Sequence, residues 1–404
     1  MGAVAVDPLS GALHAAFNEN KSGHKNRPEQ GDCIMLTKAD DYPIHQLPEP
    51  ISNAGTDRNF YDRYFFNGYT RTGDVFFAAA LGVYPHVNIM DASFCVIHKG
   101  VQHNIHASRY LVNMERMDTQ VGPISVEVVE PLMALRIKVE NNEQGIKCDL
   151  LYRGRTEPLK EPRFTRRNGP RTLMDLTRLT QNGTYEGWIE VGGERIEVKP
   201  ESFFGTRDRS WGVRPIGAAD AQPQVPPIPF QFYWLWAPLN FEDRITLFHV
   251  NDDAHGDAWN INAVMAMTDG RAPEEMAKCR AEVDFVPGSR HARGATLFFD
   301  HRKGGTTKIA LTPKWNFYMH GLGYGHPEWG HGMHKGELVV GGESYALADI
   351  KSFAPPFLHI QAFVTARMTL PDGSVREGCG ILEQMIIGPH APSGFTDVLD
   401  PAKG

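Results

Sequence analysis

Gly205-Thr-Arg-Asp-Arg-Ser-Trp-Gly-Val-Arg-Pro215 sets three arginines, one carboxylate and a tryptophan between two glycines and a proline. Arg207, Asp208 and Arg209 alternate in sign, so a charge-assisted network can satisfy them away from bulk water, and Trp211 supplies a broad apolar wall beside a cation. Two compatible readings follow. The arginines clamp Asp208 and stack on Trp211 to close the end of a β-barrel, or the set lines a ligand cavity. Neither names a substrate.

Working outward, the chain is a succession of short apolar or alternating runs broken by turns. Phe60-Tyr-Asp-Arg-Tyr-Phe-Phe66 and Val75-Phe-Phe-Ala-Ala-Ala80 read as strands. Leu135-Arg-Ile-Lys-Val-Glu140 alternates apolar and charged residues with period two, as on a sheet with one wet face. Hairpin turns are expected at Gly192-Gly193, Asp269-Gly270, Gly304-Gly305, Gly341-Gly342 and Asp372-Gly373. Only 272–278 has a helical pattern, and 40 glycines with 28 prolines argue against an α-rich fold. The fold class is mostly β, antiparallel, as sandwich or barrel.

A chain of 404 residues implies two domains of roughly 200 residues each. Residues 1–58 read as an N-terminal arm draping over the rest, 59–200 as a first β-domain and 201–404 as a second, with 223–229 a rigid proline loop inside the second. A net charge of −7 gives no attraction to nucleic acid or anionic membrane. Cys33, Cys95, Cys148, Cys279 and Cys379 are odd in number and scattered, which indicates neither a disulfide framework nor a cysteine zinc site. No export signal or transmembrane run is legible, so a cytoplasmic protein is expected, and a homodimer is compatible with it.

Two further stretches bear on chemistry. In Phe230-Gln-Phe-Tyr-Trp-Leu-Trp236, strand spacing puts Phe232, Trp234 and Trp236 on one face. Such a wall packs a core, or holds a polyene, steroid or aryl ligand and stabilises a developing cation through its π-faces. Tyr318 to Glu337 collects His320, His326, His331 and His334 with Glu328 and Glu337. Imidazoles with a carboxylate suit a metal, but the spacing matches no ligand pattern, and no metal or other cofactor is assigned. A histidine with Glu328 or Glu337 as acid/base pair at a barrel mouth is the functional reading, and histidines that satisfy loop backbone groups the structural one. His98, His103 and His106 read as exposed. Glu383, if it points inward, needs a partner such as Arg207, Arg209 or Arg214. No phosphate loop, nucleophile elbow or dinucleotide fingerprint is present.

Gly205-Thr-Arg-Asp-Arg-Ser-Trp-Gly212 resembles the His-Asp-His-Asn-Trp-Gly signature of the carotenoid 1,2-hydratase (hydroxyneurosporene synthase) and AttH-like group. Tyr324-Gly-His-Pro-Glu-Trp-Gly-His-Gly332, Tyr61-Asp-Arg-Tyr-Phe-Phe66 and Gly82-Val-Tyr-Pro85 are similar to an uncharacterised bacterial branch of it. The resemblance implies two packed lipocalin-like β-domains and cofactor-independent addition of water to an alkene, with acid residues protonating the double bond in an apolar tunnel. Asp208 and Trp211 fall on the group's Asp and Trp, but Arg209 replaces a histidine. Arginine stays protonated, so it binds a carbonyl, phenolate or carboxylate rather than shuttling protons.

The expected function is thus a lyase or isomerase (hydration, dehydration or cyclisation) acting on an apolar terpenoid, steroid or aromatic compound. Its alternatives are a non-catalytic carrier of such a molecule and a metal-dependent enzyme built on the histidine loop. Adjacent arginines would depress Asp208 and make it an orienting carboxylate, so His331 with Glu328 or Glu337 carries the expected acid/base role. Arg207, Arg209, Trp211, Phe232, Trp234, Trp236, Tyr324 and His326 are the expected substrate contacts.

Overall fold

A computed structural model describes residues 38–43, 55–111, 115, 117–351 and 353–403. Most of the expected N-terminal arm, and Cys33, fall outside them. Within them the chain is almost entirely β-strand, with no α-helix and a few single 3-10 turns. All strand pairings are antiparallel, as the hairpin-rich sequence requires.

The strands form two sheets. The first has 14 strands; its spatial order starts Leu338–Ala346, Val101–Tyr110, Ile89–His98, Phe76–Tyr84, Phe60–Thr70, Phe203–Val213, Arg171–Val191, Lys147–Gly154, and it curls into a nearly closed barrel. The second has 10 strands and includes Arg244–Asp252, Phe232–Trp236, Val375–Ile387, Ile360–Thr369 and Thr306–Tyr318 as successive neighbours. The fold is mostly β, with two lipocalin-like sheets packed together.

Several local expectations change. Phe203–Val213, assigned by sequence to the second domain, pairs on one side with Phe60–Thr70 and on the other with Arg171–Val191, inside the first sheet. The crossover to the second sheet lies between Val213 and Phe232, and the 223–229 proline loop is part of it. Gly341-Gly342 makes no hairpin: both sit within Leu338–Ala346, which pairs with Val101–Tyr110. There a Cβ at Gly341 would stand 2.6 Å from the Trp329 ring, so glycine serves close approach rather than a turn. Residues 272–278 hold a two-residue strand, Glu274–Glu275, in place of a helix.

Period-two alternation sorts the side chains into three cores. On Phe60–Thr70, Phe60, Tyr64 and Phe66 face the interior of the first barrel, whereas Tyr61, Phe65 and Tyr69 face the second sheet. On Phe232–Trp236, Tyr233 and Leu235 fill the second sheet's interior, while Trp234 and Trp236 face the first. Rings interlock where the sheets meet: Phe76 lies 4.8 Å from Phe317 and Tyr69 lies 5.5 Å from Phe363, centroid to centroid. Buried amides tie the same seam, with Asn67 Nδ2 donating to Gln361 Oε1 at 3.0 Å and Asn240 Nδ2 to Tyr69 Oη at 3.0 Å.

Candidate active site

At one end of this seam the sheets diverge and leave a cavity of about 710 Å³. The first sheet contributes Arg63, Arg178 and Asp208, with Arg214 just past the end of Phe203–Val213. The second contributes Trp234 and Glu383, and Pro223 to Phe230 form a proline-rich rim. The wall is chiefly apolar, through Phe164, Leu176, Ile228, Phe232, Trp234 and Met385. Such a volume and lining suit a small molecule with an apolar body.

Strand geometry decides which member of the Arg-Asp-Arg triplet reaches this space. Phe203 belongs to the first barrel's interior and Phe204 to the seam, so odd positions of the strand point inward and even ones toward the cavity. Asp208, Ser210 and Arg214 accordingly line the cavity. Arg207 and Arg209 point away, into the barrel. Arg207 is fully buried, ion-paired with Asp41 and donating from Nε to Gln181 Oε1 at 2.7 Å. Arg209 pairs with Asp62 and lies 4.0 Å over the Tyr64 ring. Trp211 shares their parity and is absent from the cavity wall.

The consequence for Asp208 reverses the expectation from its sequence neighbours. Its carboxyl opens on the cavity and is otherwise enclosed by protein, and burial pushes it up to about 7. Arg178 and Arg63 work the other way, and the nearby Glu161 and Glu383 carboxylates reinforce the rise. Arg178 is engaged elsewhere: it donates from Nε to Glu161 Oε1 at 3.0 Å, forms a second bond to Oε2, and lies 4.8 Å over Trp234. Thr180 Oγ1 also donates to Glu161, at 2.5 Å. Burial raises Glu161, but Arg178 and His249 overcome it and hold the carboxyl below its ordinary value.

Opposite stands Glu383. Its Oε1 accepts from Trp234 Nε1 at 2.9 Å and pairs with His359 Nε2 at 2.9 Å, and its Oε2 accepts from Gln361 Nε2 at 2.6 Å. Burial again works to raise the group, and these hydrogen bonds outweigh it, leaving Glu383 below the usual carboxylate range. Its partners are thus an imidazole, an amide and an indole, not the arginines expected from sequence. Two carboxyls in one cavity are driven apart, one protonatable near neutral pH and one held ionised.

The structure separates the remaining expected site residues. Tyr324 lines the cavity, its hydroxyl accepting from Arg63 Nη1 at 3.0 Å. Phe232 and Trp234 do as well, while Trp236 lies deeper, edge-on to Phe65 at 6.3 Å. His331 stands one layer behind, edge-on to Tyr324 at 4.4 Å. Its Nδ1 accepts from Arg214 at 3.1 Å and its Nε2 donates to Leu322 O at 2.9 Å. Burial, with Arg63 and Arg214, drives His331 well below the usual imidazole range. Glu328 is exposed and paired with Lys335, and Glu337 is exposed, so neither shares the cavity with His331.

His326 belongs to a separate cluster with His106 and Glu343, whose ligand-type atoms lie within 4.8 Å of one another. His106, expected at the surface, is buried and stacks on Trp329. The donor set does not suit a metal. His326 Nδ1 accepts the backbone N–H of Glu328 and of Trp329, both at 3.0 Å, so its proton resides on Nε2. Glu343 Oε1 already accepts from Asn104 Nδ2, His106 Nε2 and Tyr345 Oη at 2.8–3.0 Å. Burial opposes ionisation of Glu343, yet the histidine hydrogen bonds drive it far below its ordinary value. This is a proton-saturated network around one carboxylate.

Arg63, Arg178 and His359 carried no signal of their own. Arg63 was readable only once Phe60–Thr70 was phased, and His359 precedes a strand with no motif around it.

Taken together, the molecule is a two-sheet, lipocalin-like β-protein of the hydratase/AttH-like fold, with an acid-bearing apolar cavity between its sheets. The chain belongs to DUF8625, a family of unknown function, whose model matches residues 36–396. A search of curated proteins finds no match. Among solved structures, kievitone hydratase from Nectria haematococca is similar with a TM-score of 0.50 at 12% identity, over 87% of this chain and 96% of that one. An AttH-like protein from Nitrosomonas europaea aligns with a TM-score of 0.51 at 12% identity, over 85% of this chain and 97% of that one. Likeness at this identity is likeness of fold.

Proposed function

We propose that the protein is a cofactor-independent lyase or isomerase of the hydratase or cyclase type, acting on an apolar terpenoid, steroid or aromatic substrate. Asp208, protonated, donates to a carbon–carbon double bond or to a departing hydroxyl. A hydration adds the elements of water: the proton goes from Asp208 to one carbon, water attacks the cationic carbon, and the water's proton is taken up by a base. Glu383, ionised and oriented by His359, Gln361 and Trp234, is placed to stabilise that cation and to accept the proton. Trp234 and Phe232 present π-faces to the same space.

What supports this reading is a carboxyl on the wall of an apolar cavity that burial pushes up to about 7, with a second carboxyl on the same wall that its hydrogen bonds hold below the usual range. A carrier has no need of such an acid, because burying a carboxyl that half-ionises at neutral pH weakens apolar binding. His331, the candidate from sequence, lacks a free ring nitrogen for the role.

The test is incubation with a panel of prenylated phenols and terpenoid alkenes in D2O containing H2 18O, read by mass spectrometry. Wild type is expected to fix deuterium on carbon together with the heavy oxygen, and Asp208→Asn is not. Equal incorporation by Asp208→Asn would remove Asp208 from the mechanism.

A further inference from the structure

Arg63 and Arg214 are brought together at the polar end of the cavity, both flanking one ring. Their guanidinium carbons lie 5.2 and 5.7 Å from the Tyr324 centroid. Arg63 is 3% exposed. It donates to Tyr324 Oη at 3.0 Å and to Leu322 O at 3.1 Å, and its Nε, out of solvent, has no partner. Arg214 donates to His331 Nδ1 at 3.1 Å and stacks 4.5 Å over Tyr61, and its Nε is likewise unpartnered.

Neither guanidinium has an ion pair among the described residues. Three other arginines on the neighbouring strands do: Arg178 has Glu161, Arg207 has Asp41 and Arg209 has Asp62, while Arg166, at the other side of the cavity wall, donates to Gln231 O. The carboxyls that feel these charges are Asp91, which interacts with both arginines, and Asp208, which interacts with Arg63; neither is within ion-pair distance, and Asp91 accepts from Tyr84 Oη at 3.1 Å and Gly332 N at 2.7 Å. Two like charges enclosed side by side without an ion pair are costly, and a group of opposite sign beside their guanidinium faces offsets that cost. Both line the cavity, so the missing charge has room to arrive with a ligand.

We infer that Arg63 and Arg214, with Tyr324 between them, form an anion subsite that takes a carboxylate carried on the apolar ligand. This rests on the reading of the cavity as a substrate site, and it narrows the substrate to an acid rather than a neutral hydrocarbon or alcohol. It also couples to the chemistry. Arg63 is one of the charges that depress Asp208, so a carboxylate neutralising Arg63 lets Asp208 hold its proton to higher pH in the complex.

The experiment is calorimetric titration of the intact protein with farnesoic acid and with farnesol at pH 8, a matched pair differing at the head group. The acid is expected to bind at least about tenfold more tightly, the scale of a charge-assisted hydrogen bond. Arg63→Gln and Arg214→Gln should each bring the acid's affinity down to that of farnesol, and Tyr324→Phe, which removes the hydroxyl that holds Arg63, should narrow the preference if either variant fails to fold. Equal binding of acid and alcohol by wild type, or an intact preference in Arg214→Gln or Tyr324→Phe, overturns the subsite. Asp208→Asn should keep the preference for acid. Loss of turnover in that variant speaks to the catalytic reading alone, so the two proposals fail separately.

Discussion

Trp234 donates its indole N–H to Glu383 Oε1 at 2.9 Å, joining the aromatic wall of the cavity to its ionised carboxylate. The bond fixes the indole plane and helps to keep Glu383 charged. That charge is one of the influences raising Asp208. Glu383→Gln keeps an acceptor for Trp234 but removes the charge, so Asp208 becomes a stronger acid. The alkaline limb of kcat/KM, expected near pH 7 in wild type, should move to lower pH, and Arg178→Gln should move it higher. A pH–rate profile of the three proteins checks both signs.

Asp208→Asn separates chemistry from stability in opposite directions. Turnover should fall by about 10²–10⁴-fold, the ordinary contribution of a positioned acid. Stability should rise at alkaline pH. In the folded protein Asp208 titrates near 7, above its unfolded value near 3.8. Between those values the folded state holds a proton that the unfolded state has released, so stability is lost as pH rises through this window and levels off above about 7. The asparagine does not titrate. Its advantage over wild type should be of the order of a few kcal/mol at pH 8 and fade towards pH 4, as read from urea unfolding at both values.

The β-class was legible in the sequence because it rests on period-two patterning and turn residues, which are local. The faces of individual strands were equally local once phased: Phe232, Trp234 and Trp236 do share one side. What escaped was the consequence of the same rule for the Arg-Asp-Arg triplet. Adjacent residues on a strand face opposite ways, so Arg207 and Arg209 are poor guides to Asp208's surroundings. The residues that do set its titration, Arg178, Glu161, Glu383 and Arg63, lie far away in sequence and meet it only through sheet pairing and packing. The histidine loop misled for a related reason: its density reflects local backbone bonding and a network around Glu343, itself on a strand of the first sheet.

Gly205, the third residue of Phe203–Val213, stands in register with Gly68 on one side and Gly183 on the other. A Cβ there would lie 2.1 Å from Asn67 O and 2.5 Å from the Tyr185 ring, the first a backbone atom that cannot step aside. Gly205→Ala should therefore cost about 2–4 kcal/mol, a value at the severe end for a single methyl. Thermal unfolding measures it. Gly192→Ala, whose Cβ would meet nothing within 4 Å, separates crowding from backbone effects because its φ of 58° carries only the left-handed penalty.

Arg207 supplies the last test, because its place inside the first barrel makes it structural while its sequence neighbour faces the ligand. Asp41 joins three parts of the chain: its carboxylate takes Arg207 and the Leu132 backbone N–H, and its carbonyl takes the Tyr64 hydroxyl. Asp41→Ala leaves a fully buried guanidinium without its counter-charge, a loss of about 3–5 kcal/mol. Ligand affinity should not change in the fraction that remains folded, since neither residue borders the cavity. Urea unfolding combined with farnesoic acid titration at low temperature reads both quantities. A large affinity loss at preserved stability would place Arg207 in the binding site after all.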